Sequence, residues 1–362
     1  MHRTRIAILV AAVVTAGLAR GEGPLVKYGD PVPRDVREIY DTGIRYLLKQ
    51  QDADGSWKDG QAGAGVTGMA MMVLLASGED PNYGPYRVPI RQAIRSMLNS
   101  QDGGTGFLGG DQGHDSMYQH GFAMLALAEA YGVVDDRGLW TEAGAQAGKG
   151  SGRPIGKALE LAVRRAVSSA KQNPTGAWRY GPDAKDADTS VSGAVMMGLL
   201  AARNAGIEVP DETIDRAIKY FVTMTGGNGQ VGYSGGAGGG SDAVTSIGVL
   251  IYSIARRQEL PQYKAAAKYL VSRSRGGGEQ MGMDGYPGYT DYYRAQALFQ
   301  CDVQAWEKWN AGLVKTLKTM QAKDGSLSGG RGGMGIGGGT VTTSLYLLSL
   351  AVNFKFLPVY ER

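Results

Sequence analysis

SGAVMMGLLAA at 192–202 is one of six related apolar strings that decide the fold. The others read TGMAMMVLL (67–75), HGFAMLALAEA (120–130), TSIGVLIYSIA (245–255), YYRAQALFQ (292–300) and TSLYLLSLAV (343–352). Aligned on the small residue near the start, they anchor at Gly68, Gly121, Gly193, Ser246, Arg294 and Ser344, at spacings of 53, 72, 53, 48 and 50 residues. A repeat of this length built from helices marks stacked helical hairpins. Each apolar string is preceded by a charged, amphipathic one, such as VREIYDTGIRYLLKQ (36–50) or ETIDRAIKYFVTM (212–224). The amphipathic helices, near 35–50, 87–100, 155–171, 211–224, 261–273 and 305–320, belong on the outside with one face in water. The apolar ones, hydrophobic nearly all round, belong inside. Six inner helices ringed by six outer ones make an all-α (α/α)6 toroid.

The hairpins are joined by a second signature. QDADGSW (51–57) and QNPTGAW (172–178) fit Gln-x-x-x-Gly-x-Trp; QAKDGSL (321–327) replaces the Trp by Leu, and QDGGTGF (101–107) carries one extra residue. Glycine permits a positive φ, the glutamine can bond nearby backbone, and the aromatic ring packs against the next hairpin. Trp57 and Trp178 therefore read as structural. The 72-residue spacing points to an insertion at about 133–153, VVDDRGLWTEAGAQAGKGSGR, polar and glycine-rich.

Glycine makes up 57 of the 362 residues without a collagen period, and the glycine runs at 226–240 and 328–339 lack the lysine and spacing of a phosphate-binding loop. The first residues, MHRTR followed by the 14-residue apolar run IAILVAAVVTAGLA, have the layout of an export signal ending near Ala19. Residues 20–34, with Pro24, Pro31 and Pro33, read as an extended lead-in to a single toroid domain over 35–362. The expected destination is the periplasm or the exterior. No transmembrane segment is expected once the signal is gone, because that run is short for a bilayer. Removing it takes Arg3 and Arg5 from the 38 basic residues and leaves 36 against 34 acidic ones, a balance that does not suit a nucleic acid. A lone cysteine, Cys301, excludes an intrachain disulfide and a cysteine-based metal cluster.

With these turns, the small-residue-led inner helices and the six-hairpin count, residues 35–355 resemble the terpenoid cyclase and protein prenyltransferase toroids, with prenyltransferase/squalene-oxidase repeats. The resemblance implies the fold and leaves the activity open, since complement-like thioester domains share the toroid. Zinc prenyltransferases bind their metal through Asp-x-Cys and a later histidine. Here Asp242 is followed by Val244 and Arg294 sits near the histidine position, so no metal and no cofactor is expected. Class II cyclases protonate an alkene with Asp-x-Asp-Asp. KDADTS (185–190) offers Asp186 and Asp188 as candidate catalytic acids but has Thr189 in place of the last carboxylate, and DTS equally reads as a helix N-cap. The thioester string Cys-Gly-Glu-Gln appears as GGEQ (277–280), without the cysteine.

Parallel inner helices bring their N-termini to one end of the ring. That mouth would gather His114, Asp115, Tyr118, His120, Asp242, Asp291, Tyr292, Tyr293 and Arg294 as candidate ligand-binding residues. The function expected is an exported binding or interaction module for an unknown protein, glycan or lipid ligand. The alternative is a divergent terpene-cyclase-like isomerase, or an isoprenoid-binding protein using the central cavity.

Overall fold

The computed structural model describes residues 32–59, 61–110, 116–142, 145, 147–274, 287–327, 339–354 and 357. The export signal, most of the lead-in, His114 and Asp115, the GGEQ string and the glycine run at 328–338 lie outside the described residues.

Twelve helices occur among the described residues. The outer set is α1 (Arg34–Gln50), α3 (Arg87–Ser100), α5 (Ile155–Gln172), α7 (Asp211–Met224), α9 (Pro261–Ser274) and α11 (Val303–Met320). The inner set is α2 (Ala64–Leu75), α4 (Ser116–Ala130), α6 (Thr189–Asn204), α8 (Asp242–Ile254), α10 (Pro287–Cys301) and α12 (Gly339–Ala351). A two-residue antiparallel ladder, β1 (Lys58–Asp59) with β2 (Gln61–Ala62), precedes α2. Each inner helix packs on the next, and α12 packs back on α2, so the inner ring is closed. The expected all-α toroid of six hairpins is the observed fold. The inner helices begin three to five residues before the apolar strings. Asp188 caps α6 and Ser241 caps α8.

The connecting turns lock the ring. Gln51 Nε2 donates to the carbonyls of Gly55 in its own turn and Pro89 on the next outer helix (both 3.0 Å). Gln101 repeats this on Gly106 and Ala158, and Gln321 on Gly325 and Ile39, so the last turn clasps the first helix. Gln172 does not take part. It is the last residue of α5 and exposed, and Asn173 orders that turn instead, bonding Thr175 and the Asp186 carbonyl. Gly325 sits at φ +97°, and a Cβ there would run into the Thr42 carbonyl of α1. The turns at Gly55, Gly106, Gly229 and Gly325 are thus wedges pressed onto backbone that only glycine can approach.

A second tie joins five of the turns to their own inner helices. The amides of Trp57, Leu108, Trp178, Val231 and Leu327 donate to Thr67, His120, Ser192, Thr245 and Thr343 at 3.0–3.1 Å. These acceptors all stand one residue before the repeat's small anchor. The indoles of Trp57 and Trp178, both fully buried, also donate to Leu47 and Ala166 carbonyls. The methionines of the inner helices (Met69, Met71, Met72, Met124, Met196 and Met197) are core.

The insertion is pinned rather than loose. Glu142 accepts from Arg87, Arg91 and Arg95, one face of α3, and Asp136 accepts from the first amide of α5 (2.8 Å).

Gly206 offers a control for the wedge, since it has φ +89° and nothing near its missing Cβ. Gly206→Ala should cost about 1 kcal/mol from backbone strain alone. Gly325→Ala should cost about 3 kcal/mol or more, because Thr42 must also move. Urea unfolding of the two variants checks this, and equal losses would remove the wedge from the account.

Candidate functional site

The end of the ring where the inner helices begin carries the polar departures from the repeat. Its centre is occupied by tyrosines. Tyr118 on α4 and Tyr289 on α10 come from opposite sides of the ring, and their hydroxyls face each other 3.4 Å apart. Behind them the rings of Phe122 and Tyr292, again from α4 and α10, lie 6.1 Å apart. Tyr293 stacks edge-on against both Tyr289 and Tyr292 at 4.9 Å. Toward the rim, Tyr118 lies 6.5 Å from Tyr180, whose hydroxyl pairs with that of Tyr233. Burial holds the Tyr118 and Tyr233 hydroxyls well above the ordinary tyrosine range, and Asp188 adds to this.

Asp188 is fully buried under this group. Its Oδ1 accepts from the amides of Ser190 and Val191 and from the Ser190 hydroxyl at 2.6–2.9 Å, an N-cap with an added side-chain bond. Its Oδ2 has no hydrogen-bond partner and lies 3.8 Å from Arg179 Nε. Burial raises its pKa despite the cap bonds and Arg179. Asp186 is not part of this pocket. Its side chain points to solvent and is paired with Arg179 at 2.6 Å. The two candidate acids are therefore not a dyad.

His120 departs from its expected place at an open mouth. It is fully buried, and its Nδ1 accepts from Leu108 N–H. That bond puts the proton on Nε2, which donates to the Ala162 carbonyl (3.1 Å). Both nitrogens are used, so neither is left to bind a metal or move a proton. The repeat register carries the signal that would have revealed this, because His120 occupies the position of Thr67, Ser192, Thr245 and Thr343. Among the described residues, no group of three His, Cys, Asp or Glu side chains is placed to hold a metal ion.

Hairpin five breaks that register. Tyr293 stands at the tie position and Arg294 at the small anchor. Arg294 is buried and donates to Asp242 Oδ2 at 2.7 Å, while Arg273 reaches Asp242 Oδ1 at 3.5 Å. Asp291 is 1% exposed, its Oδ2 has no hydrogen-bond partner, and burial pushes its pKa up to about 7 against the pull of Arg294. Asp291, Tyr292 and Tyr293 are core residues rather than rim. The unpaired buried atoms on this helix and on α12, including Tyr346 Oη, were not legible in the sequence. Sequence reading also missed Tyr180, Tyr233 and Arg179, which lie in the loops before α6 and α8.

No protein-family model and no curated protein matches the sequence. Solved structures do. A variant of the type II terpene cyclase MstE from Scytonema, in complex with geranylgeranyl dihydroxybenzoate, matches with a TM-score of 0.57 at 15% identity over 89% of this chain and 98% of that one. An inactive variant of an α-1,6-mannanase from Salegentibacter, in complex with α-1,6-mannotetrose, gives 0.62 at 10% identity over 89% and 99%. A glycoside hydrolase family 76 mannosidase from Bacteroides thetaiotaomicron gives 0.59 at 11% over 88% and 98%. At these identities the likeness is one of fold: the chain has the α/α toroid that these proteins share. Proteins with unrelated substrates share it.

The neutral, buried His120 has a measurable consequence. Burial lowers its pKa to about 4, while an unfolded histidine titrates near 6.5. The associated stability is complete above about pH 6.5 and is lost as pH falls toward 4. His120→Thr copies the tie of the other hairpins and removes the titration. Between pH 7.5 and 5 the wild type should lose about 2 kcal/mol more than this variant in urea unfolding. Parallel losses would show that His120 is not held neutral.

Proposed function

We propose that this protein is an exported, non-catalytic toroid that binds a partner with the face on which its inner helices begin. The observation that carries this reading is the meeting of Tyr118 and Tyr289 across the ring, backed by Phe122 and Tyr292. A prenyl chain lying along the axis would have to displace these side chains. The Arg294–Asp242 pair supports the absence of zinc chemistry, because a guanidinium takes the carboxylate that a metal would need and Val244 supplies no ligand atom. Asp186, exposed and ion-paired, fits a recognition surface better than an acid that protonates an alkene. Export rests on the basic and apolar layout of residues 1–19. No helix among the described residues is long and apolar enough to cross a membrane.

One observation favours a second reading, a divergent cyclase with Asp188 as acid. Its carboxyl is buried beside tyrosines, with a raised pKa and one oxygen free of hydrogen bonds. The three bonds on its other oxygen fit a cap more directly.

Native mass spectrometry of the mature protein from its own host, with solvent extraction and a pull-down, separates these readings. The binding reading expects no stoichiometric isoprenoid, and a captured macromolecule that is lost in Asp186→Lys, a surface change of small folding cost. Capture that survives Asp186→Lys would move the partner to another surface. An extracted isoprenoid that Asp188→Asn converts no further, while wild type does, would establish the cyclase instead.

A further inference from the structure

The geometry points to a neutral saccharide as the ligand of this tyrosine-lined face, an inference that rests on the binding reading above. Three observations converge on it. The rim carries rings at graded depth. Tyr233 is 38% exposed, Tyr180 and Tyr118 are half-buried, and Tyr289 closes the centre. Such rings give rigid, amphipathic contact area, with a flat apolar face and a hydroxyl at its edge. A pyranose has the matching form, one apolar C–H face bordered by hydroxyls.

Next, among the described residues, the charges of the face are matched. Arg179 faces Asp186 and Asp188, while Arg294 and Arg273 face Asp242. A diphosphate or an acidic polymer needs cations left unneutralised by the protein. Here each of these three guanidiniums already has a carboxylate, so the surface suits an uncharged ligand whose recognition is by hydrogen bonds. Arg179 also lies 5.4 Å over the Tyr180 ring, which fixes that ring's orientation.

Finally, the floor has an acceptor left over. Asp188 is fully buried and its Oδ2 accepts no hydrogen bond, while its charge acts on Tyr118 and Tyr233. Buried polar atoms of native proteins are seldom left unpaired. A hydroxyl entering between these rings would find in Oδ2 an acceptor to which no protein group donates a hydrogen bond, and in the tyrosine hydroxyls groups able to donate or accept. Few polar groups among aromatic walls is the composition of a small-ligand site.

Native affinity electrophoresis through gels containing neutral polysaccharides (mannan, galactomannan, β-glucan and dextran, each alone) tests this on the mature protein. Tyr233→Ala, whose exposed ring contributes little to the core, serves as the site variant, with circular dichroism to verify its fold. At least one polysaccharide should retard the wild type, and Tyr233→Ala should weaken the apparent affinity at least tenfold at an unchanged melting temperature. Retardation equal in both proteins would place saccharide binding elsewhere and overturn the assignment. No retardation, with capture of a macromolecule still dependent on Asp186, would overturn the saccharide and leave the binding face standing. Loss of both would overturn the face as well.

Discussion

The contact on which the rest depends is the pressing of the described glycine turns onto the next outer helix. A hairpin of this chain cannot bury its inner helix alone, since that helix is apolar on every side. The ring supplies neighbours on both flanks, and the turns fix how far apart successive hairpins stand. Gly55 meets the Gln92 carbonyl on α3, Gly106 the Leu161 carbonyl on α5, and Gly325 the Thr42 carbonyl on α1. Because the sixth turn clasps the first helix, the ring has no free end at which a solenoid would need a polar cap. The amide ties from five turns to Thr67, His120, Ser192, Thr245 and Thr343 connect outer and inner layers.

Against that regular frame, the polar face stands out by where it breaks the rule. Tyr293 and Arg294 occupy positions that in the other hairpins hold a hydrogen-bonding tie and a small anchor. The result is a buried guanidinium held by Asp242 and a carboxyl at Asp291 near neutrality. Local departures from an otherwise consistent pattern concentrate where a protein does something beyond folding. Here they lie at one end of the ring, beside the tyrosines that fill its centre. The same toroid accommodates a prenylated substrate in MstE and a mannotetrose in the Salegentibacter mannanase.

The fold was legible because a spacing near 50 residues survives substitution. Gly68, Gly121, Gly193, Ser246 and Ser344 mark the inner helices in the sequence and in space. The cap at Asp188 was legible for a similar reason, since DTS before an apolar run is a local signal. The site was less so. Sequence places Asp291 and Tyr292 at a helix start but carries no measure of depth, and α10 begins five residues before its apolar string. His120 looked chemical by its type, although its register made it a tie. Tyr180 and Tyr233 sit in loops outside the repeat, and only the three-dimensional ring brings their hydroxyls together. Asp186 and Asp188, two residues apart, turn in opposite directions because one precedes the cap and the other is the cap.

If the turns bind the ring into one unit, the tie amides must open together. Native-state hydrogen exchange of Trp57, Leu108, Trp178, Val231 and Leu327 reads this directly. All five should exchange only through global unfolding, with one shared free energy that matches the denaturant value. Exchange of any of them at a much lower free energy than the rest would show hairpins opening independently. It would contradict a ring closed by its turns.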